Sequence, residues 1–281
     1  MIRGISQAGL GHISTEELVR SARQYGFGAV DINTDTLIAD HGIEGTRQLL
    51  EDHQVIIGSI GLPVEWRQSD STFREQLTSL AVTAHHASLL GCQRCCTYIL
   101  PATDESPAAY MAQSIVRLRQ IASILDAYGI RLGLEFVGPY HLRTAWKYPF
   151  IHTVADTLTM IDGIDRSNVG LLVDAYHCYT TDFTADDLRQ LRADQIVHVH
   201  INDARDVPLD QVLDNDRLYP AEGVIDLPAF LQALQDIGYT GVVAQEILSK
   251  ESPTDSIASL WERSQRGFDH AFRNISPSAF Q

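Results

Sequence analysis

Eight short apolar runs alternate with longer stretches of helical spacing along this chain, and that alternation leaves few architectures open. The runs are Ile2–Ser6, Ala29–Ile32, Ile56–Gly61, Arg94–Ile99, Arg131–Glu135, Val169–Asp174, Ile196–His200 and Gly241–Ile247. The predicted helices between them cover Thr15–Tyr25, Gly42–Asp52, Phe73–Leu90, Ala108–Tyr128, Val154–Ile161, Ala185–Leu191, Leu227–Ile237 and Asp255–Phe272. A short run rich in β-branched residues reads as a parallel strand buried on both faces. Eight such alternations in 281 residues fit a closed (β/α)8 barrel, which typically takes about 250 residues. The expected fold class is α/β, a single TIM barrel over residues 1–275, with residues 276–281 as a flexible C-terminal tail.

Local punctuation supports this division. Ser14-Thr15-Glu16-Glu17 offers a capping hydroxyl and an acidic first turn. Tyr25-Gly26, Tyr128-Gly129 and Ile237-Gly238 put glycine where a helix ends before the next strand. Asp226-Leu227-Pro228 sets an N-cap ahead of a first-turn proline.

Composition narrows the partners. A net charge of −15 repels phosphate backbones and anionic lipid, so neither nucleic acid nor a membrane is expected as a partner. No run approaches the roughly 20 apolar residues of a membrane span. Met1–Ser6 lacks the apolar stretch of a signal peptide, so a cytoplasmic location is the expectation. Of the cysteines, Cys92, Cys95 and Cys96 crowd around one predicted strand and Cys178 lies far off, which argues against a disulfide framework. Cys92-x-x-Cys95 has half the spacing of a zinc site, but no second cysteine pair follows; small buried side chains are the preferred reading.

The chemistry gathers at four strand ends. Leu134-Glu135-Phe136, Leu172-Val173-Asp174, Val197-His198-Val199-His200 and Val243-Ala244-Gln245-Glu246 each carry an apolar run to a metal-capable side chain. A barrel places its active site at the carboxyl ends of its strands. Glu135, Asp174, His200 and Glu246 are therefore expected to converge on one divalent ion, with manganese, cobalt, magnesium and zinc all compatible. Glu135 and Glu246 come from strands five and eight, nearly opposite around the ring, and suit proton transfer on either side of a substrate. An ion chelating a hydroxy-ketone polarises its carbonyl and stabilises the enediolate left by loss of the adjacent proton. His177, three residues after Asp174, is expected near the substrate oxygen as a hydrogen-bond donor or proton shuttle.

Two long connections on that face hold polar and aromatic side chains. Val137–His152 carries Tyr140, Arg143, Trp146 and Lys147, and Asn202–Ile225 carries Asp203, Arg205, Asp216 and Arg217. Loops of this length are more often functional than decorative. Trp146, Lys147, Arg205 and Arg217 are the expected substrate contacts; the cations among them, with Arg143, leave a phosphorylated substrate open. Val64-Glu65-Trp66-Arg67, after strand three, is a further candidate for the pocket. Plainer readings exist: His198 as a packed core histidine, His85-His86 as surface or packing residues within a helix, and Asn202–Arg217 as a solvated loop.

Several stretches carry a family likeness. Leu134-Glu135-Phe136-Val137-Gly138, Asn168-Val169-Gly170-Leu171 with Asp174 and His177, and His200-Ile201-Asn202-Asp203 resemble the sugar isomerase/epimerase superfamily of xylose-isomerase-like barrels. Asp206 with Pro208, Asp216-Arg217 with Pro220, and Gly223-Val224-Ile225-Asp226-Leu227 resemble in particular the inosose isomerases (2-keto-myo-inositol isomerases) of inositol catabolism. The resemblance implies a single divalent metal on Glu135, Asp174, His200 and Glu246, with the two glutamates as the proton-transfer pair. It also implies that His177 and Arg217 touch substrate oxygens. The expected activity is isomerisation or epimerisation of a keto-polyol or ketose, an inosose first among them. The rivals are an inosose or dehydroshikimate dehydratase on the same scaffold, an apurinic endonuclease, and a non-catalytic sugar-binding barrel. The endonuclease needs early-strand histidines and a basic face, which this chain lacks. Barrels of this kind often pair, so a homo-oligomer is a further expectation.

Overall fold

The computed structural model describes residues 1–275; the tail expected at 276–281 lies outside the described residues. Eight parallel strands close into a barrel: β1 (Ile2–Ser6), β2 (Ala29–Asp31), β3 (Ile56–Gly61), β4 (Arg94–Ile99), β5 (Arg131–Phe136), β6 (Val169–Asp174), β7 (Ile196–Ile201) and β8 (Val242–Gln245). Each strand pairs with its neighbours in sequence, and β1 closes the ring on β8 through Ile2 opposite Val242 and Gly4 opposite Ala244. All residues of β6 and β7 are buried, as their unbroken apolar character requires when helices cover one side and the barrel interior the other.

Helices return the chain between strands, and local chemistry sets their ends. Ser14 caps the helix Thr15–Ala22: its hydroxyl accepts from the Glu17 N–H at 3.2 Å, while Glu17 accepts the Ser14 N–H at 3.1 Å. Asp226 caps Leu227–Asp236 by accepting from the Ala229 N–H at 3.1 Å, with Pro228 in the first turn. The second helix differs from expectation. It runs from Thr34 to Asp52 rather than starting at Gly42, and Gly42 is a kink with φ +66° between two helical pieces. Glycine is the residue that takes this conformation without steric cost.

Both long connections are ordered by the body of the protein. Ala102–Thr103 pairs antiparallel with Tyr148–Pro149, tying the segment after β5 to the one after β4. In the segment after β7, Asp203 and Leu218 exchange two backbone hydrogen bonds of 2.8 Å, and the Arg217 N–H donates to the Leu248 carbonyl at 3.1 Å. Asp203 is fully buried, and its Oδ1 accepts from the N–H groups of Ala204 and Ile225. Asp203 and Arg217 therefore anchor the segment from inside, while Arg205, Asp206 and Asp210 face solvent.

Cys92, Cys95 and Cys178 are buried free thiols, and Cys92 donates to the Arg94 carbonyl. Burial pushes the Cys92 thiol up to about 11. His85 is exposed and His86 half-buried, on the helix Asp70–Leu89. No helix among the described residues is long and apolar enough to cross a membrane.

Candidate metal centre

Four consecutive strands deliver four ligand atoms to one point. Glu135 is the penultimate residue of β5, Asp174 the last of β6, and His200 the penultimate of β7. Glu246 follows β8 by one residue, and its N–H is held by the Ile201 carbonyl at 3.2 Å. One atom from each side chain lies within 4.8 Å of the other three. His200 Nδ1 sits 3.8 Å from Glu135 Oε1, 4.0 Å from Asp174 Oδ2 and 3.6 Å from Glu246 Oε2.

These distances are too long for hydrogen bonds and too short for indifference. Glu135 Oε1 and His200 Nδ1 are buried and have no hydrogen-bond partner among the described residues. Two acceptors facing each other in this way repel unless a proton or a cation lies between them. Three carboxylates and one imidazole make a ligand set that a divalent ion of hard or borderline character accepts. The residues present therefore fit such an ion.

Without it, the cluster balances its charge through His200 and Arg217. Burial alone would lower the His200 value, but the carboxylate of Glu246, with Asp31 and Glu135, holds it well above the ordinary imidazole range. Burial raises Glu135, and Glu246 and Asp174 add repulsion, partly offset by His200 and His177. Burial works the same way on Glu246, yet His200 and then Arg217 outweigh it and bring this carboxyl down to about 2.

Arg217 is embedded in the cluster. Its side chain is 1% exposed. Nη1 donates to Asp174 Oδ2 at 2.8 Å and to Glu246 Oε2 at 3.0 Å, and Nη2 to Asp214 Oδ1 at 2.8 Å. Asn202 Nδ2 adds contacts to Asp174 and to the Glu246 carbonyl at 3.2 Å. Asp174 also accepts the Tyr176 N–H at 2.7 Å, capping the short helix Ala175–Thr180. That helix carries His177 back toward the centre. The His177 Nδ1 accepts from the Gly138 N–H at 3.3 Å, and its Nε2 lies 3.4 Å from Arg217 Nη2 and 3.8 Å from Glu135 Oε1.

A cavity of about 400 Å³ opens beside the cluster. Glu135, His200, Glu246 and Leu172 form one side; Ser6, Gln7, Asn33, Ser59, Thr97 and Tyr98 form much of the other. Hydroxyl and amide groups of this kind suit a polyol. The residues expected to contact substrate lie elsewhere. Arg217 is absent from the lining because its donors are committed to Asp174, Glu246 and Asp214. Arg205 is drawn away by an exposed ion pair with Asp216 at 2.6 Å. Lys147 is exposed, 4.8 Å over the Tyr148 ring, and Trp146 is half-buried outside the cavity. Arg143 is bound to the carbonyls of Gly138 and Thr180. Val64–Arg67 backs the wall instead of entering it: buried Trp66 donates to Thr97 Oγ1 at 3.1 Å, and Arg67 lies 4.0 Å over the Tyr98 ring.

The sequence reading missed Asp31. It ends β2, and its Oδ2 lies 2.7 Å from His198 Nε2 and 3.2 Å from His200 Nε2. The signal was present: Ala29-Val30-Asp31 is an apolar run ending on a carboxylate, the same pattern that picked out the later strands. His198 is fully buried and hydrogen-bonded, as a core histidine should be.

Comparison with known proteins shows the family of the fold. Residues 19–268 match the xylose isomerase-like TIM barrel family. The chain belongs to that family. It is similar to the inosose isomerase of Bacillus subtilis (strain 168), with 33% identity over 138 residues, which cover 49% of this chain and 47% of that protein. The chain thus spans about half the length of the curated relatives it matches. Among solved structures, a xylose isomerase domain protein from Alicyclobacillus acidocaldarius superposes with a TM-score of 0.90 at 32% identity, over 97% of this chain and 98% of its own. The IolI protein, solved with a bound zinc atom, superposes with a TM-score of 0.84 at 21% identity, over 99% of this chain and all of that one; this likeness speaks for the fold.

Proposed function

We propose that this chain is a divalent-metal-dependent isomerase or epimerase of a keto-polyol or ketose, with an inosose as its foremost substrate and inositol catabolism as its setting. The observation that carries this reading is the convergence of Glu135, Asp174, His200 and Glu246 within 4.8 Å, with Glu135 Oε1 and His200 Nδ1 buried and without a hydrogen-bond partner among the described residues. The inosose isomerase relative and the zinc of the IolI protein support it. Manganese, cobalt, magnesium and zinc all suit the ligand set.

When bound, the ion supplies Lewis acidity that polarises a substrate carbonyl and acidifies the neighbouring C–H. The chain's own groups do the rest. One of the two glutamates takes the proton from carbon, and the other returns one to the adjacent carbon or to the opposite face. His177 Nε2 stands 3.8 Å from Glu135 Oε1 and serves as the proton shuttle beside it. Arg217 holds Asp174 and Glu246 in position. Ser6, Gln7, Asn33 and Thr97 meet the hydroxyls of the substrate.

The test is a panel of inososes and ketoses with metal-loaded protein in deuterated water, followed by NMR. The expected result is deuterium at the carbon beside the carbonyl with no loss of water. A product lighter by water moves the assignment to a dehydratase. Absence of exchange on every compound, with metal content verified, overturns the reading.

Metal uptake should also depend on pH. His200 carries a raised pKa in the metal-free protein, so an ion entering at Nδ1 must displace a proton. The apparent Kd for Mn²⁺ should rise about tenfold for each pH unit below the His200 titration. Isothermal titration in buffers of different ionisation enthalpy measures that proton directly, and a Kd flat across this range contradicts the ligand assignment.

A further inference from the structure

We infer that Asp31 is a positioning residue for the metal centre, acting through His200, and that His198 and Gly58 exist to hold it there. The inference rests on the metal reading above.

Asp31 reaches across the barrel. It comes from β2, whereas both of its histidine partners come from β7. Its side chain is 10% exposed and one oxygen, Oδ2, meets both Nε2 atoms. A carboxylate only accepts, so each histidine donates its Nε2–H. The other nitrogens agree. His198 Nδ1 is buried without a partner among the described residues, which suits a bare lone pair better than an unmatched N–H. His200 Nδ1 is likewise unpaired and faces Glu135, Asp174 and Glu246. Asp31 thus selects the tautomer of His200 that offers a lone pair to the centre, and it fixes the plane of the ring. Carboxylate partners of this kind orient ligating imidazoles and raise their basicity.

The backbone is shaped for this contact. The register between β2 and β3 slips at Asp31: Val30 faces Ile57, but Asp31 faces Ser59. Gly58 is the extra residue of this bulge. A Cβ on Gly58 would stand 2.4 Å from Asp31 Oδ1, so the carboxylate occupies the space that the glycine leaves. Bulges re-aim side chains in this manner. His198 takes the second hydrogen bond on Oδ2, at 2.7 Å, which holds the carboxylate turned toward His200.

The experiment uses the 281-residue chain stripped of metal and titrated with Co²⁺, reading affinity by competition with a chelator and ligand geometry by the visible d–d bands. Asp31→Asn keeps the volume and removes the charge; its Kd should be weaker by about 10–100-fold, with altered bands. Gly58→Ala keeps every charge and displaces the carboxylate; it should weaken cobalt binding in the same direction, and it carries the test if Asp31→Asn does not fold. Circular dichroism verifies the barrel in each variant. In zinc-loaded parent labelled with ¹⁵N-histidine, His200 should show a proton on Nε2 and a metal-shifted Nδ1. Folded variants that bind cobalt within twofold of the parent, with the same bands, overturn the role of Asp31 alone. A proton on Nδ1 of His200 in the loaded parent does the same. A parent that binds no cobalt overturns this inference and the metal reading together.

Discussion

Replacing Glu246 with glutamine should leave a folded, metal-loaded barrel whose turnover falls by about 10²–10⁴-fold, the range that a positioned proton-transfer group supplies. The amide retains an oxygen for Arg217, which donates to Glu246 Oε2 at 3.0 Å, so the surrounding hydrogen bonds survive. It cannot take a proton from carbon. Deuterium exchange followed by NMR reads the loss, with metal content measured on the same sample to separate lost chemistry from a lost ligand. Ligand affinity should change much less. A variant that exchanges within tenfold of the parent rules out Glu246 as a proton-transfer group, and one that binds without any parental turnover points to a sugar-binding barrel.

Arg217→Met should destabilise the metal-free protein by about 3–5 kcal/mol, because removing one member of a buried ionic group leaves its partners uncompensated. Asp174 is fully buried and would lose the guanidinium at 2.8 Å; Glu246 would lose it at 3.0 Å. The repulsion with Glu135 would then be balanced by His200 alone. A bound cation takes over that role, so saturating Mn²⁺ should recover most of the loss. Urea unfolding with and without the ion measures both quantities. Equal destabilisation in the two conditions would show that Arg217 serves packing and not the charge balance of the centre. Arg217→Lys should fall between the two, since an ammonium keeps the charge but cannot serve Asp174 and Glu246 from one nitrogen and Asp214 from another.

The barrel was legible because buried parallel strands are apolar and short, and because the helices between them begin on capping residues such as Ser14 and Asp226. Four strands of the second half ended on metal-capable side chains, each with an ordinary reading alone, and their joint occurrence made the convergence readable. Legibility failed where meaning depends on distant chain. Asp31 ends a strand of three residues, and its partners lie 167 and 169 positions away. No local pattern announces such a pairing. Arg217 was read as a substrate contact because it sits in a polar connection; only the folded loop, pinned through Asp203 and Leu248, shows that its donors are spent inside the protein. The first half of the second helix was lost because Thr34–His41 stops at Gly42, which reads as a boundary and is a kink.

The two halves of the chain meet the cavity with different duties. Ser6, Gln7, Asn33, Ser59 and Thr97 lie in or just after strands β1 to β4, while Glu135, Asp174, His200 and Glu246 lie in or just after β5 to β8. Under the function proposed above, recognition and reactivity fall on separate stretches of polypeptide. Grafting an early half from a family relative is, under that reading, a route to new sugar preference. Asp31 is the thread that crosses this seam, so any such graft must carry an aspartate there to stay compatible with its new host.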